Sequence, residues 1–333
     1  LFINDLPEHI KNKVFLFADD LKMIANALRK DLVDEDLRIL EDWEDTWSLR
    51  FNSEKCKTLH LDRNENPSNE YTIHGDILET IESEKDLGLV VSSNFKWDEQ
   101  IKSSIAKANK TIAWVSRNII CKDQGVMLLI YKSLVRPHLE YAVQCWAPSP
   151  RFGNWGIILE LEKVQRKFTR LINDIGTLTY GERLKSLTLT TLAERRMRGD
   201  LIEAFKIIRG FVDYGQNLFK LSVSGLNILS KITKDTNSDR RDFFSERILK
   251  YWNILPKNVK MSESINSFKA NLENYKVRSL ANVFHNSTGH FWEVSGHIMD
   301  RIETPSYLAG RPAFREYLDS NPWIAKRKKI NTF

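Results

Sequence analysis

Apolar and polar residues alternate over short stretches in the first hundred residues, and this pattern predicts strands. Two β-prone runs, residues 14–18 and 21–25, flank the acidic pair Asp19 and Asp20 and predict a hairpin with two carboxylates at its tip. Residues 31–50 predict an acidic helix in which Leu40, Trp43 and Trp47 form an apolar stripe, and this stripe would pack on the back of a sheet. Further short strands are predicted at residues 58–61, 71–75 and 87–91. Strands mixed with a helix indicate an α+β class.

After Trp97 the spacing of apolar residues becomes helical. It predicts helices over residues 101–115, 124–134, 157–171 and 201–208, and Arg136-Pro137 is expected to break or kink the second of them. Residues 221–242 are predicted to form a loop, whereas residues 243–252 predict a short amphipathic helix that Leu255-Pro256 ends. We therefore expect four regions: a sheet-bearing unit at 1–97, a helical region at 98–220, a helical extension at 221–276 and a tail at 277–333.

Length and composition limit the class of protein. The 333 residues are 42% hydrophobic, which is enough for a substantial core and about two domains. No apolar run reaches the roughly 18 residues of a membrane-spanning helix, so no membrane partner is expected. Cys56, Cys121 and Cys145 lack the spacing of a zinc site or a disulfide framework, and they predict buried reduced thiols in an intracellular protein of the nucleus or cytoplasm. The start of the sequence lacks the basic region of a secretory signal, so no such signal is expected. Because the sequence begins with Leu1 rather than Met, we expect a fragment.

The net charge of +6 conceals an asymmetry along the chain. Residues 1–100 carry 12 Lys or Arg and 23 Asp or Glu, a net charge of −11, and the remaining residues carry 38 and 21, a net charge of +17. An acidic half joined to a basic half suggests metal chemistry in one and phosphate contacts in the other. A solvated acidic helix face and an ordinary basic surface would explain the same charges.

Asp19 and Asp20 are the first candidate site residues. Adjacent carboxylates at a tight turn can hold divalent metal next to a phosphate, which is the chemistry of nucleotide polymerisation by two metal ions. The alternative is an ordinary solvated turn, because Asp is common in turns.

Basic residues on one predicted helix are the second candidate. Four of them share one side of the helix and could track a nucleic-acid backbone, with Arg195, Arg196 and Arg198 nearby: Lys163, Arg166, Lys167 and Arg170. The alternative is a helix face made soluble by charge. In the tail, three histidines lack the spacing of a helical zinc pair, and the basic run at 326–329 is expected to be solvated: His285, His290 and His297.

An ordered series of motifs resembles the reverse transcriptases of non-LTR retrotransposons of the jockey type. Residues 1–7 (Leu-Phe-Ile-Asn-Asp-Leu-Pro) resemble the segment after the template-contacting Gln-Gly motif, and residues 17–20 (Phe-Ala-Asp-Asp) resemble the catalytic hairpin. Residues 52–56 (Asn-Ser-Glu-Lys-Cys) resemble the next palm motif, and residues 87–89 (Leu-Gly-Leu) followed by Trp97 resemble the primer grip and the beginning of the thumb. Residues 243–247, 252–256 and 267–269 resemble the closing segment, so the resemblance covers about residues 1–276.

The resemblance implies site residues, a cofactor and partners. It implies that Asp19 and Asp20 are catalytic Mg²⁺ ligands and that Lys55 contacts the triphosphate or protonates the leaving pyrophosphate. Gly88 would lie close to the primer strand. RNA template and DNA primer would be the partners of a partial palm followed by a helical thumb and extension. The alternatives are a surface lysine beside a turn for Lys55 and a simple strand-end glycine for Gly88.

Two departures from the family pattern bear on activity. Such polymerases place a further metal-binding Asp on a strand upstream of the hairpin, together with the fingers and the Gln-Gly motif, and this sequence begins after them. Residues 277–333 also fall outside the pattern. The hypothesis is therefore a part of an RNA-directed DNA polymerase that is inactive alone, and the rival is a non-catalytic module that binds nucleic acid or protein.

Overall fold

The structure is a computed structural model that describes residues 5–61, 69–148, 155–215, 217–231 and 243–275. Helices and small sheets are mixed, which is compatible with the predicted α+β class. The chain divides into two compact units, unit 1 at Leu1–Gln100 and unit 2 at Ile101–Phe333. The tail at 277–333, with its histidines and basic run, lies outside the described residues.

Unit 1 combines one long helix with short strand pairs. Its helices are α1 (Leu6–His9) and α2 (Lys30–Trp47), and a 3₁₀ turn spans Ser53–Lys55. The strands are β1 (Lys13–Phe17), β2 (Asp20–Ile24), β3 (Lys57–Leu59), β4 (Thr72–Ile73), β5 (Asp76–Ile77), β6 (Glu79–Ile81), β7 (Ser83–Asp86) and β8 (Leu89–Ser92). β1–β2, β4–β5 and β7–β8 pair antiparallel, and β3–β6 pairs parallel. The predicted hairpin and acidic helix are confirmed, but each of these sheets has two strands.

The apolar side of α2 builds the core of unit 1. Leu40 and Trp43 are buried among residues of α1, β4 and the neighbouring loops. Trp47 is 38% exposed, so the predicted apolar stripe is wrong in its last turn. The helix ends there, since Ser48 has a φ of +52° and its N–H bonds the Glu44 carbonyl.

Unit 2 is mainly helical. Its helices are α3 (Asp98–Asn118, which begins at the end of unit 1), α4 (Gln124–Ile130), α5 (Arg136–Glu140), α6 (Val143–Trp146), α7 (Trp155–Thr169), α8 (Tyr180–Ser186), α9 (Leu192–Ile208), α10 (Phe244–Arg247), α11 (Leu249–Asn253), α12 (Lys257–Lys260) and α13 (Ile265–Tyr275). Two short strands, β9 (Lys220–Leu221) and β10 (Ile228–Leu229), pair antiparallel. Residues 221–242 are therefore not wholly loop, and the single helix predicted at 243–252 is two short helices.

The helix predicted to end or kink at Arg136-Pro137 continues through a π-helical turn at Tyr131–Val135. Proline has no N–H and its ring clashes with the carbonyl four residues earlier. A wider turn just before Pro137 avoids that clash, so α4 runs into α5 without a loop.

Aromatic side chains from three helices meet in the core of unit 2. Phe205 of α9 stacks on Phe268 of α13 with ring centroids 4.2 Å apart, and Phe268 lies 6.2 Å from Trp252 of α11. All three side chains are buried. Two of the closing motifs, residues 252–256 and 267–269, thus contribute to this core.

The cysteines do not follow the expectation of buried thiols. Cys121 and Cys145 are exposed, and Cys56 is half-buried. Burial raises the pKa of the Cys56 thiol, with a smaller contribution from Glu44. None of the three forms a disulfide. As for membranes, every helix in the described part of the chain is too short or too polar to cross a bilayer.

Candidate functional site

The hairpin carries its two carboxylates at the tip. Phe17 pairs with Asp20, which leaves Ala18 and Asp19 as a two-residue turn. Ala18 has a φ of +54°, a left-handed conformation that tight hairpin turns require and that is unfavourable for a residue with a Cβ. Asp19 lies in the turn and Asp20 begins β2, and both side chains are exposed.

The two faces of the hairpin differ in exposure. Val14, Leu21 and Met23 pack against the core of unit 1. The opposite face is exposed, with Phe15 at 45% and Phe17 at 63%. The hairpin is thus anchored on one side, while its tip projects both carboxylates into solvent.

A buried carboxylate of α2 fixes the beginning of this hairpin. Asp36 accepts hydrogen bonds from the backbone N–H groups of Lys11 at 2.9 Å and Asn12 at 2.8 Å, and from Asn12 Nδ2 at 2.7 Å. Asp36 is fully buried, so these donors replace water around its charge. Helix α2 therefore positions β1 and, through it, the acidic tip.

The donor type at the tip suits Mg²⁺, but the donor number does not complete a site. Mg²⁺ prefers carboxylate oxygens in an octahedral shell. Within the described ranges, no group of three or more His, Cys, Asp or Glu is placed to hold a metal ion. Two-metal catalysis needs ligands that clamp both ions. Asp19 and Asp20 would supply only part of such a ligand set.

Gly88 lies in the turn of a second hairpin. Asp86 pairs with Leu89, so Leu87 and Gly88 form a two-residue turn with φ values of +45° and +86°. A turn with two positive φ values favours glycine, which accounts for Gly88 without a ligand. Lys22 of β2 forms an ion pair with Asp86, so the structure brings this turn beside the Asp19 and Asp20 hairpin.

Lys55 ends the 3₁₀ turn and is exposed. Its backbone N–H bonds the Asn52 carbonyl at 3.0 Å. Among the described residues, its ammonium group has no ion-pair partner, and no described contact joins it to Asp19 or Asp20. Lys57 is instead paired with Glu79 of the neighbouring strand at 3.6 Å.

The four basic residues of the second candidate lie in different environments. Lys163 forms an ion pair with Glu160 at 2.5 Å, and the Arg166 guanidinium lies 5.6 Å from the centre of the Tyr180 ring. Lys167 and Arg170 are exposed. The accessible part of the predicted stripe is therefore centred on Lys167 and Arg170, at the C-terminal end of α7.

Of the three neighbouring arginines on α9, two form ion pairs within the protein and the third is buried. Arg195 forms an ion pair with Glu140, its Nη2 lying 3.1 Å from Oε2. Arg196 is 3% exposed, and Arg198 is paired with Glu273 at 3.4 Å. These three side chains therefore have intramolecular roles, and their contact with a nucleic-acid backbone stays a prediction.

Unit 2 also contains buried ionic groups that the sequence patterns did not single out. Arg247 and Asp200 form a two-pronged pair, with Nε to Oδ2 at 2.8 Å and Nη2 to Oδ1 at 3.0 Å. Arg247 Nη2 also donates to the carbonyls of Val143 and Gln144, at 3.1 and 2.8 Å. Arg247 is the last residue of the motif Phe-Phe-Ser-Glu-Arg at 243–247, and this membership was the one sequence feature that pointed to it. Its contacts give the motif a structural role.

Glu162 of α7 is buried beside Arg196. It accepts hydrogen bonds from Tyr180 Oη and from the Leu192 N–H at 3.0 Å. Burial raises the pKa of this carboxyl, while Tyr180 and the Arg196 charge oppose the rise. Glu162 thereby ties α7 to α8 and to the start of α9.

Comparison with known proteins gives one match of limited extent. No protein-family model and no solved structure matches the chain. The chain is 26% identical over 146 residues to the RNA-directed DNA polymerase from mobile element jockey of Drosophila funebris. The match covers 40% of this chain and 16% of that protein. This similarity relates the chain to the reverse transcriptases of retrotransposons.

Proposed function

We propose that this chain is part of a non-LTR retrotransposon reverse transcriptase and that it binds an RNA template paired with a DNA primer. The observation that carries the proposal is the similarity to the jockey polymerase, in a chain whose Phe-Ala-Asp-Asp sequence forms an exposed hairpin tip. Unit 1 would correspond to part of the palm, and the helices after residue 97 to the thumb and its extension.

The hairpin has a defined role in this proposal. Asp19 and Asp20 would supply two of the carboxylates that hold Mg²⁺ beside the primer end. The turn at Gly88, joined to the hairpin by the Lys22–Asp86 pair, would lie next to the primer backbone. Lys55, whose side chain is exposed, would contact the incoming nucleotide. Polymerase activity would require further ligands, so the activity proposed for this chain alone is binding.

The basic end of α7 has a second role. Lys167 and Arg170 would contact phosphates of the hybrid directly, and Lys163 would do so by exchanging its exposed partner Glu160 for a phosphate. Arg166 would position the helix against Tyr180. A protein that neutralises several phosphates releases counterions, so its affinity falls steeply as salt rises.

The test is binding of a labelled RNA–DNA hybrid with a recessed primer, measured by fluorescence anisotropy between about 50 and 200 mM salt. If three side chains each neutralise one phosphate, the logarithm of affinity should fall with the logarithm of salt with a slope of about −2.7. The double variant Lys163→Gln with Lys167→Gln should flatten that slope by about 1.8.

A matched control is Lys132→Gln with Lys257→Gln, because both lysines are exposed and lie on other helical segments of unit 2. Equal effects in the two double variants would contradict the role of α7 but leave binding intact. Absence of binding even at 50 mM salt would overturn the proposed function, including the rival nucleic-acid module, and would leave a protein-binding module as the remaining interpretation.

A further inference from the structure

Helix α3 carries a second basic surface that the sequence patterns did not single out. Lys107, Lys110, Trp114 and Arg117 are all exposed, and Trp114 is 51% exposed. Steps of 3, 4 and 3 residues keep them on one side of an α-helix. Their rise along the axis is about 15 Å, at about 1.5 Å per residue over ten residues. We call these four side chains the α3 stripe.

The α3 stripe lies opposite the buried side of its helix. Ile101, Ala108, Ile112 and Val115 are 5% exposed or less. Because this apolar side is already covered, α3 has no apolar face left to insert into a lipid surface, as an amphipathic membrane helix would need. The partner must instead contact a basic surface that contains one large aromatic ring.

The charge around the α3 stripe has one sign. Residues 100–122 contain five basic residues and no acidic one. Within the described part of the chain, none of the three stripe cations forms an ion pair, in contrast to Lys163 of α7. Arg117 Nε bonds the Ala113 carbonyl at 3.2 Å, and this bond does not use its two terminal amino groups. Unpaired cations in a row attract a polyanion.

Trp114 narrows the choice of polyanion. An exposed indole between cations offers a flat surface on which a nucleic-acid base can stack. A base within a duplex is already stacked on its neighbours and is not accessible to such a ring without being extruded. The combination therefore fits an unpaired strand better than a duplex.

We propose that the α3 stripe binds single-stranded nucleic acid, with Lys107, Lys110 and Arg117 on phosphates and Trp114 stacked on an unpaired base. The proposal rests on the nucleic-acid-binding function proposed above and adds to it a site for a single strand, separate in sequence from the basic end of α7.

The test is binding of a labelled 20-nucleotide single strand and of the matching duplex, measured by anisotropy with the full chain. Trp114→Ala should weaken single-strand binding by roughly 5- to 150-fold, the range that loss of one aromatic–base stack gives. Trp114→Phe should restore most of that loss, and the duplex should respond to neither variant. Lys107→Gln with Lys110→Gln should flatten the salt slope for the single strand by about 1.4.

The control is again Lys132→Gln with Lys257→Gln, which removes the same charge from other exposed positions. The proposal is overturned if Trp114→Ala leaves single-strand affinity unchanged, if the control flattens the slope as much as the stripe variant, or if poly-glutamate competes as well as the oligonucleotide. If single-strand binding is lost in the Lys163 and Lys167 double variant but not in the α3 variants, the proposed role of the α3 stripe is overturned and the proposed function still stands. Absence of any binding by the wild-type chain would overturn both.

Discussion

Units 1 and 2 each bury a carboxylate of a long helix, Asp36 and Asp200, and the two carboxylates have different partners. In unit 1 the buried carboxylates of α2 accept hydrogen bonds mainly from the backbone of neighbouring loops: Asp36 from Lys11 and Asn12, and Glu44 from Phe51. In unit 2 the buried carboxylate of Asp200 is instead matched by the guanidinium of Arg247, whereas the buried Glu246 accepts from Ser230 and the Lys231 N–H. The first arrangement orients loops around a helix, whereas the second joins distant helices.

The difference changes how the charge asymmetry of the sequence is interpreted. Part of the acidic excess of unit 1 holds the hairpin in place, and part of the basic excess of unit 2 stabilises its core. The exposed charges are the ones available for a ligand, and they include Asp19 and Asp20 in unit 1 and the basic surfaces of α3 and α7 in unit 2.

The largest expected loss of stability comes from breaking the buried Asp200–Arg247 pair. Arg247→Met should lower the free energy of unfolding by about 3–5 kcal/mol, because it leaves a buried carboxylate and two backbone carbonyls without their donor. Urea unfolding followed by circular dichroism measures the loss. Arg198→Met is the matched control, since its pair with Glu273 is exposed and should contribute less than about 1 kcal/mol. Similar losses of unfolding free energy in Arg247→Met and Arg198→Met would contradict the structural role of the buried pair in unit 2.

A smaller effect is expected at Asp36 in unit 1. Asp36→Ala should lower the free energy of unfolding by about 2–3 kcal/mol, because three donors lose a charged acceptor. It should also speed hydrogen exchange at the Lys11 and Asn12 amides. Asp34→Ala on the same helix removes only an i,i+4 pair with Lys30 and should cost about 0.5 kcal/mol or less. Unchanged exchange at Lys11 in Asp36→Ala would contradict the anchoring role.

A still smaller change in stability is expected when the pH alters the protonation of the buried Glu162 in unit 2. Its pKa is raised in the folded state, so the folded chain binds a proton more tightly than the unfolded chain does. Stability should therefore fall as the pH rises above the ordinary value of 4.5, by about 1.4 kcal/mol for each unit by which the pKa is raised. Glu162→Gln cannot titrate, so its stability relative to wild type should improve as the pH rises above 4.5. A difference that does not change with pH in urea titrations would show that Glu162 stays ionised on folding.

The sequence predicted local elements better than buried polar contacts. The β1–β2 hairpin and α2 follow from alternation and helical spacing, which the chain shows over five or more residues. Helix α8 was missed, although Thr179 and Glu182 form a capping box that marks its start. The parallel pairing of β3 with β6 depends on residues about twenty positions apart, and no local pattern specifies such a partner.

Only the local part of the candidate site was predicted from the sequence. The sequence located the acidic tip, because a turn between two strands is a local feature. It did not distinguish buried from exposed charges. On α2, the charged residues Asp36 and Glu44 fall at helical spacing from the apolar Val33 and Leu40. On α9, Arg196 and Asp200 fall at helical spacing from Leu192. Charged residues within an apolar stripe were therefore the sequence feature that could have indicated burial. Which of them is buried depends on partners supplied by loops and helices elsewhere in the chain.

The most direct test of the hairpin as a metal-binding tip is a Mn²⁺ titration followed by nuclear magnetic resonance of backbone amides, with the RNA–DNA hybrid present. Paramagnetic broadening should begin at residues 18–21, and Asp19→Asn with Asp20→Asn should abolish it. Asp34→Asn with Asp42→Asn, which removes the same charge from α2, should leave it unchanged. Broadening that first appears on α2, or that persists in the Asp19 and Asp20 variant, would contradict the assignment of these carboxylates as metal ligands.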